Sequence, residues 1–279
     1  MKKVLAYIRL MRPLNLLQGG IALLVAATLM DRFPAWNIIL LATGIVWSYT
    51  GAGNAINDYC DAGIDKINRP ERPIPQGLVS RKGALTWAVC LFLTGSLLAI
   101  PVFTLELMII LLLAVLLLTT YSLFFKMRPL LGNVVVSTIL GMTFLFAASI
   151  YGDISKGVTP FFLAFGFNLI REIVKDVQDM KGDQALGART LPLKYGVEVT
   201  RKIINTLTLI LMFGAIAPYI LHIYGKFYLL TLIFGVEFPL VYVIYSIRKD
   251  CSASNCSRLS AILKSDIFLG LLAIFLGKF

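Results

Sequence analysis

The sequence predicts an all-α, polytopic membrane protein of nine transmembrane helices, and three observations carry that prediction. The 279-residue chain is 58% hydrophobic and only 15% charged, too apolar for an ordinary soluble domain. Its apolar residues gather in windows of about 17–25, the length of helix that crosses a hydrocarbon layer. Its lysines and arginines are distributed unevenly between alternate loops, as they are between the two sides of a membrane.

Taken in order, the windows fall at about 14–30, 36–56, 84–104, 105–124, 134–152, 158–176, 201–222, 227–247 and 259–277. The first follows a basic amino end, but it lacks a small-residue cleavage site and precedes many more spans, so it reads as a mature helix. Only Pro101 and Glu106 mark the turn between the third and fourth, and Lys264 and Asp266 interrupt the ninth. With this division, loops on one side hold 22 of the 26 basic residues, and the other side keeps Arg32, Lys156, Lys226 and Lys278. That bias places the amino terminus in the cytoplasm and the carboxyl terminus outside a plasma membrane. The net charge of +11 is thus a record of topology and gives no ground for nucleic-acid binding. No linker divides the chain, so residues 1–279 read as one membrane domain. Cys60, Cys90, Cys251 and Cys256 fall in cytoplasmic loops or in a span, where thiols stay reduced; Cys251 and Cys256 have no sequence neighbours to complete a zinc site.

Two charged segments stand out against this background. Asn57-Asp58-Tyr59-Cys60-Asp61-Ala62-Gly63-Ile64-Asp65 closes the second span and leads into Lys66-Ile67-Asn68-Arg69-Pro70-Glu71-Arg72-Pro73-Ile74-Pro75. If the helix continues through it, Asn57, Asp61 and Asp65 lie on one face. The second, from Arg171 to Asp183, follows the sixth span and places Glu172, Asp176, Asp179 and Asp183 at intervals of four, three and four, again one helical face. A lone carboxylate at membrane depth costs about 2.5–3.5 kcal/mol on insertion scales, so such a row requires compensating charge or a watered cavity. Both segments hang from helices running inward, four spans apart, as two halves of a bundle related by an axis along the membrane normal would place them. They are expected to close on one cytoplasmic cavity.

Acid rows interleaved with bases suit a polyanion. Mg2+ prefers hard oxygen ligands, usually a few carboxylates completed by substrate phosphate and water, and Asn57, Asp61, Asp65, Asp179 and Asp183 fit that habit, with Asp58 and Asp176 as further candidates. Arg72 is placed for bidentate phosphate contact, and Lys126, after Tyr121-Ser122-Leu123-Phe124-Phe125, reaches the same surface from the fourth span. Arg69, Arg171 and Lys175 add positive charge. The single histidine, His222, sits in a short loop on the opposite side, which argues against Ser-His-Asp chemistry. No Walker or dinucleotide glycine pattern occurs; Gly51 and Gly53 read as close helix packing.

These residues resemble the UbiA superfamily of intramembrane prenyltransferases. Its first motif, NDxxDxxxD followed by an RP segment, is matched by Asn57, Asp58, Asp61, Asp65 and Arg72-Pro73. Its second ends in DxxxD, matched by Asp179 and Asp183 ahead of Gly187 and Thr190, and the pair after the fourth span resembles Tyr121 and Lys126. Arg69-Pro70-Glu71-Arg72-Pro73-Ile74-Pro75 and Arg171 to Asp176 look most like the archaeal branch that builds ether lipids, although chlorophyll and tocopherol branches carry a similar Arg-Pro-Ile-Pro run. In one respect the chain departs from the quinone branch: the loop from Asp65 to Arg72 is shorter, where those members carry an additional arginine before the RP pair.

The resemblance implies two Mg2+ ions, held by Asp61, Asp65, Asp179 and Asp183 with Asn57, Asp58 and Asp176, which assist ionisation of an allylic diphosphate. It further implies diphosphate contacts from Arg72, Lys126, Tyr121, Lys175, Arg171 and Arg69. The geranylgeranyl group would then pass to the sn-2 hydroxyl of geranylgeranylglyceryl phosphate, or in other branches to an aromatic or chlorin acceptor. The competing class is a cation or proton transporter, which needs acids near the midplane. The acids of the two motifs cluster instead at cytoplasmic helix ends; Glu237, inside the eighth span and two residues before Pro239, is an intramembrane acid and so a functional candidate by default, and with no partner in either motif it is expected to hydrogen-bond at a kink.

Overall fold

The computed structural model describes residues 2–185 and 187–279, apart from the side chains of Lys2, Ile64, Ile67 and Asn68. The described residues fall largely into helices, with α1 at Lys2–Leu10, α2 at Pro13–Leu29, α3 at Trp36–Cys60, α4 at Ala62–Asn68, α5 at Arg81–Ala99, α6 at Leu105–Thr120 and α7 at Leu131–Tyr151. The chain continues with α8 at Val158–Ala185, α9 at Leu191–Tyr195, α10 at Val197–Ile220, α11 at Lys226–Thr231, α12 at Phe238–Lys249 and α13 at Ala253–Leu276. Among the described residues, eight stretches are long and apolar enough to cross a membrane, and the bent pair α1–α2 makes a ninth.

Local chemistry explains the breaks. Pro13 opens α2, where its missing N–H is no loss, but a residue before proline is pushed out of the α region. Arg12 accordingly takes φ 55, and α1 meets α2 at 51°. The side-chain amide of Asn54 donates to Met11 O at 2.9 Å, occupying a carbonyl released at that break. Between α5 and α6 the chain makes a 3-10 turn over Ile100–Val102. Thr104 then caps α6 by accepting from Leu107 N at 3.1 Å, so the turn that Pro101 and Glu106 mark in the sequence is completed by a hydroxyl cap.

Helix ends depart from the apolar windows at the charged segments. α8 runs to Ala185 although its apolar window ends near 176, and α13 begins at Ala253, where Ser252 accepts from Asn255 N at 3.2 Å. Hydropathy records bilayer thickness, whereas backbone hydrogen bonding continues through polar residues that still favour helix.

The helices gather into two compact units. One comprises the chain up to Phe125 together with Met142–Ser155, and the other comprises Lys126–Gly141 with Lys156–Phe279, so α7 contributes to both. In the first, α3 packs against α2 and α5 through small residues that admit their neighbours. A Cβ at Gly53 would lie 2.5 Å from the Leu118 side chain, and one at Gly51 would lie 2.8 Å from that of Met11. The motif at the end of α3 therefore rests on tightly closed helix contacts. In the second unit α8 packs against α10 and α13, burying Ile170, Ile173, Val174 and Val177. α11, a π-helical turn over Leu232–Glu237, and α12 together make one span.

Candidate active site

The first motif is built where α3 gives way to α4. Asp61 occupies the junction, yet its N–H still reaches Asn57 O at 2.9 Å and the N–H of Asp65 reaches Asp61 O at 2.8 Å. The i→i−4 ladder thus passes through the break, and Asn57, Asp61 and Asp65 share a face as their spacing requires. Asn57 donates its side-chain amide to Asp61 Oδ2 at 2.8 Å. Asp58, Asp61 and Asp65 are only 3, 4 and 3% exposed, and acids so withdrawn from water require charged or hydrogen-bonding partners.

Two arginines supply them. Arg72 Nη1 donates to Asp65 Oδ2 at 2.7 Å and to Asp58 Oδ1 at 3.1 Å. Arg12 Nη2 donates to the same Asp58 oxygen at 2.6 Å, reaching it from the α1–α2 break. The proline-rich loop holds Arg72 in place: Gln76 N donates to Arg72 O at 3.1 Å, Leu78 N and Val79 N both donate to Pro73 O, and Gly77 supplies a positive φ of 70. Arg9 fastens the same loop by donating to Glu71 O at 2.7 Å. Burial raises the Asp65 carboxyl above its usual range; Arg72 opposes the shift, and the neighbouring Asp61 and Asp58 add to it.

The second motif lies on the unbroken helix α8. Arg171 Nη1 donates to Glu172 Oε1 at 2.7 Å and Lys175 Nζ to Glu172 Oε2 at 3.2 Å. Asn133 of α7 donates its amide to Asp176 Oδ2 at 3.0 Å. Asp179 and Asp183 stand one turn apart, each within the other's field, and Lys126 acts on both Glu172 and Asp183. Arg189 N donates to Met127 O at 2.9 Å, tying the loop after α8 to the segment that carries Lys126. Tyr121 opens the π-helical turn that ends α6, and Arg69 closes α4; both are half-buried.

These placements give several of the residues singled out in the sequence partners that the sequence does not show. Arg72, expected to bind phosphate, is engaged by Asp58 and Asp65. Arg171 and Lys175 are likewise engaged by Glu172. The sequence motifs miss Arg12 and Asn133; the only signals are a basic residue directly before Pro13 and a polar residue at the start of an apolar window. Cys251 and Cys256 do act on one another electrostatically, and both are free thiols. His222 is exposed in a tight turn at φ 56. At Glu237 the helix does carry an irregular turn, but Glu237 Oε1 is buried with no hydrogen-bond partner among the described residues. The expected hydrogen-bonded kink is therefore corrected to a π-helical turn at which one buried carboxylate oxygen has no partner among the described residues.

Among the described residues no three His, Cys, Asp or Glu side chains are gathered closely enough to hold a metal ion by themselves. The donor set nevertheless fits Mg2+: hard oxygens from Asn57, Asp61 and Asp65 on one helical face, with the two carboxyls buried and mutually repelling. That is the environment in which a divalent cation completed by ligand phosphate gains most.

Fold and site together define a multi-pass helical membrane protein with two carboxylate-bearing helix ends bordered by arginine and lysine. The sequence pattern of the UbiA prenyltransferase family matches residues 19–272, and the chain belongs to that family as a membrane-embedded prenyltransferase. A relative from Methanothermobacter thermautotrophicus, digeranylgeranylglyceryl phosphate synthase, is 35% identical over 274 residues, covering 98% of this chain and 95% of the relative. A solved structure of digeranylgeranylglyceryl phosphate synthase in membranes superposes with a TM-score of 0.80 at 28% identity, covering 100% of this chain and 99% of that one. A UbiA homologue from Archaeoglobus fulgidus bound to GPP and Mg2+ superposes with a TM-score of 0.70 at 17% identity, covering 96% and 99%, and so shares the fold.

Proposed function

We propose that this chain transfers a geranylgeranyl group from geranylgeranyl diphosphate to the sn-2 hydroxyl of geranylgeranylglyceryl phosphate, an Mg2+-dependent step of archaeal ether-lipid synthesis. The observation that carries the reading is the near full-length relationship to digeranylgeranylglyceryl phosphate synthase. The protein sits in the plasma membrane as a single functional domain, amino terminus and both motifs on the cytoplasmic side, in accord with the distribution of lysine and arginine.

Asn57, Asp61 and Asp65 in one motif and Asp176, Asp179 and Asp183 in the other would hold two Mg2+ ions, whose chemistry when bound is to neutralise a departing diphosphate. Arg72 supplies phosphate contacts by exchanging Asp65 for phosphate oxygens, a substitution of one anion for another. Asp65 is thereby released to act as a ligand, while Asp58 keeps Arg12 and positions Arg72. Lys126, Lys175, Arg171, Tyr121 and Arg69 hold the remaining oxygens. Apolar side chains of the spans exclude water from the allylic carbocation left behind, so that the acceptor hydroxyl captures it and gives up its proton to a phosphate oxygen or a motif carboxylate.

The test is incubation of purified protein with geranylgeranyl diphosphate and Mg2+, offering geranylgeranylglyceryl phosphate, 4-hydroxybenzoate, homogentisate and chlorophyllide in separate tubes, with products identified by mass spectrometry. The expected product is a doubly alkylated glycerol phosphate that disappears with EDTA. Product formed only with an aromatic or chlorin acceptor would overturn the ether-lipid assignment.

A further inference from the structure

The helix that opens the chain has two apolar faces, and only one of them is packed. On α1, Ala6 and Leu10 are 1 and 0% exposed and lie against Val79 and Ala84, and the Tyr7 ring stands edge-on to that of Trp87 at 5.6 Å. Val4 and Ile8 are one turn apart on the nearly opposite side, with Leu5 beside them, and the three are 65, 44 and 59% exposed. Large apolar side chains left open together on one face mark a surface that something covers. Side-chain contacts also tie α1 to the first motif. Arg9 Nη2 donates to Glu71 O at 2.7 Å and Nη1 to Gln76 Oε1 at 3.4 Å, so α1 holds the proline-rich loop. Arg12, two residues beyond α1, donates to Asp58 Oδ1 at 2.6 Å.

Continuity, depth and charge identify what covers the open face. Along the chain the apolar row is continued by Leu14 and Leu17, both exposed on the first turns of α2, where the surroundings are lipid. α2 alone has 17 residues, the shorter end of the length that crosses a hydrocarbon layer. α1 leaves its axis at 51°, so the nine residues of α1 advance only about 8 Å along that axis, roughly the thickness of one headgroup layer. Residues 1–30 hold Lys2, Lys3, Arg9 and Arg12 and no acid. A short helix with bases and a free apolar face rests at the boundary of headgroups and acyl chains, and the cytoplasmic leaflet carries negative charge. A second copy of this chain docked by the same face would instead set these bases against their like.

We propose that Val4, Leu5 and Ile8 form a bilayer-binding surface: α1 lies in the headgroup layer with acidic phospholipids beside Lys3, and the membrane surface thereby steadies the helix from which Arg9 and Arg12 reach the first motif. The choice of an acidic leaflet rests on the cytoplasmic orientation proposed above. Acyl carbons take the apolar face and headgroup phosphates partner the bases, so lipid composition sets how firmly the loop carrying Arg72 is held.

Photocrosslinking tests the surface on the full-length protein in vesicles of equal phosphatidylcholine and phosphatidylglycerol, with Ile8→p-benzoylphenylalanine as the probe. The excited ketone inserts into a neighbouring C–H bond: the hydrogen moves to the ketone oxygen, a C–C bond forms, and nothing is expelled. Mass spectrometry should find phospholipid adducts, with phosphatidylglycerol about fivefold over phosphatidylcholine, and adding Lys3→Glu should remove that preference. Crosslinks to a second copy of the chain, or none to lipid, would overturn the surface, and equal adducts of the two lipids would overturn the acidic partner. Hydrogen exchange on protein without the probe reads the link to the motif, through residues 76–79, whose amides bond within the proline-rich loop. Their exchange should be about threefold slower in the mixed vesicles than in phosphatidylcholine alone, and Lys3→Glu should abolish the difference. Wild-type exchange indifferent to phosphatidylglycerol, or a slowing that persists in Lys3→Glu, would overturn the link. Neither readout involves prenyl transfer, so failure of the proposed function would leave both results standing.

Discussion

The charges of the two acidic motifs are compensated by different means. In the first the helix is interrupted at Asp61, and its acids are neutralised from far along the chain: Arg72 from the proline-rich loop, Arg12 from the α1–α2 break. In the second the helix is continuous and the compensation is mostly local, Glu172 being flanked by Arg171 and Lys175 within a turn, while Asn133 reaches Asp176 from another helix. A tertiary ion network ties the electrostatics of a site to the folding of its surroundings. A local one can be altered with little effect on the fold. Substitutions should therefore separate stability from chemistry differently in the two motifs.

The largest effect is expected where both motifs are alike. Asp61→Ala and Asp179→Ala should each lower the Mg2+-dependent transfer rate about 10³-fold, read as initial rates of product formation, while the protein keeps its helical content by circular dichroism. Next, Arg72→Ala leaves Asp65 buried without its cation and should cost about 3 kcal/mol of stability in addition to activity; Arg12→Ala, which leaves Asp58 with Arg72, should cost about 1 kcal/mol. Thermal unfolding in detergent distinguishes the two, and equal losses would break the picture of a shared but unequal network. In the second motif, Asn133→Ala should destabilise by about 1 kcal/mol. Lys175→Met should change stability by less than about 0.5 kcal/mol while slowing transfer, a split not expected of Arg72.

Some of this architecture is legible in the sequence and some is hidden, for physical reasons. Apolar windows locate the spans because bilayer thickness fixes their length, and acid spacing locates both motifs because helical geometry is periodic. The extension of α8 to Ala185 is hidden because helix and hydropathy end at different places. Arg12 is hidden because its partner Asp58 is 46 positions away and no local pattern announces the contact. Glu237 and Asp266 are each visible in the sequence as an acid within an apolar window.

The proposed function has each of the two differently supported motifs contributing to Mg2+ and diphosphate binding. Calorimetric titration of Mg2+ into the protein saturated with a non-ionising thiodiphosphate analogue of the geranylgeranyl donor tests it in wild type, Asp61→Ala and Asp179→Ala. Mg2+ should bind wild type only when the analogue is present, and either substitution should weaken binding at least about tenfold. Wild-type affinity retained in either variant would contradict the claim.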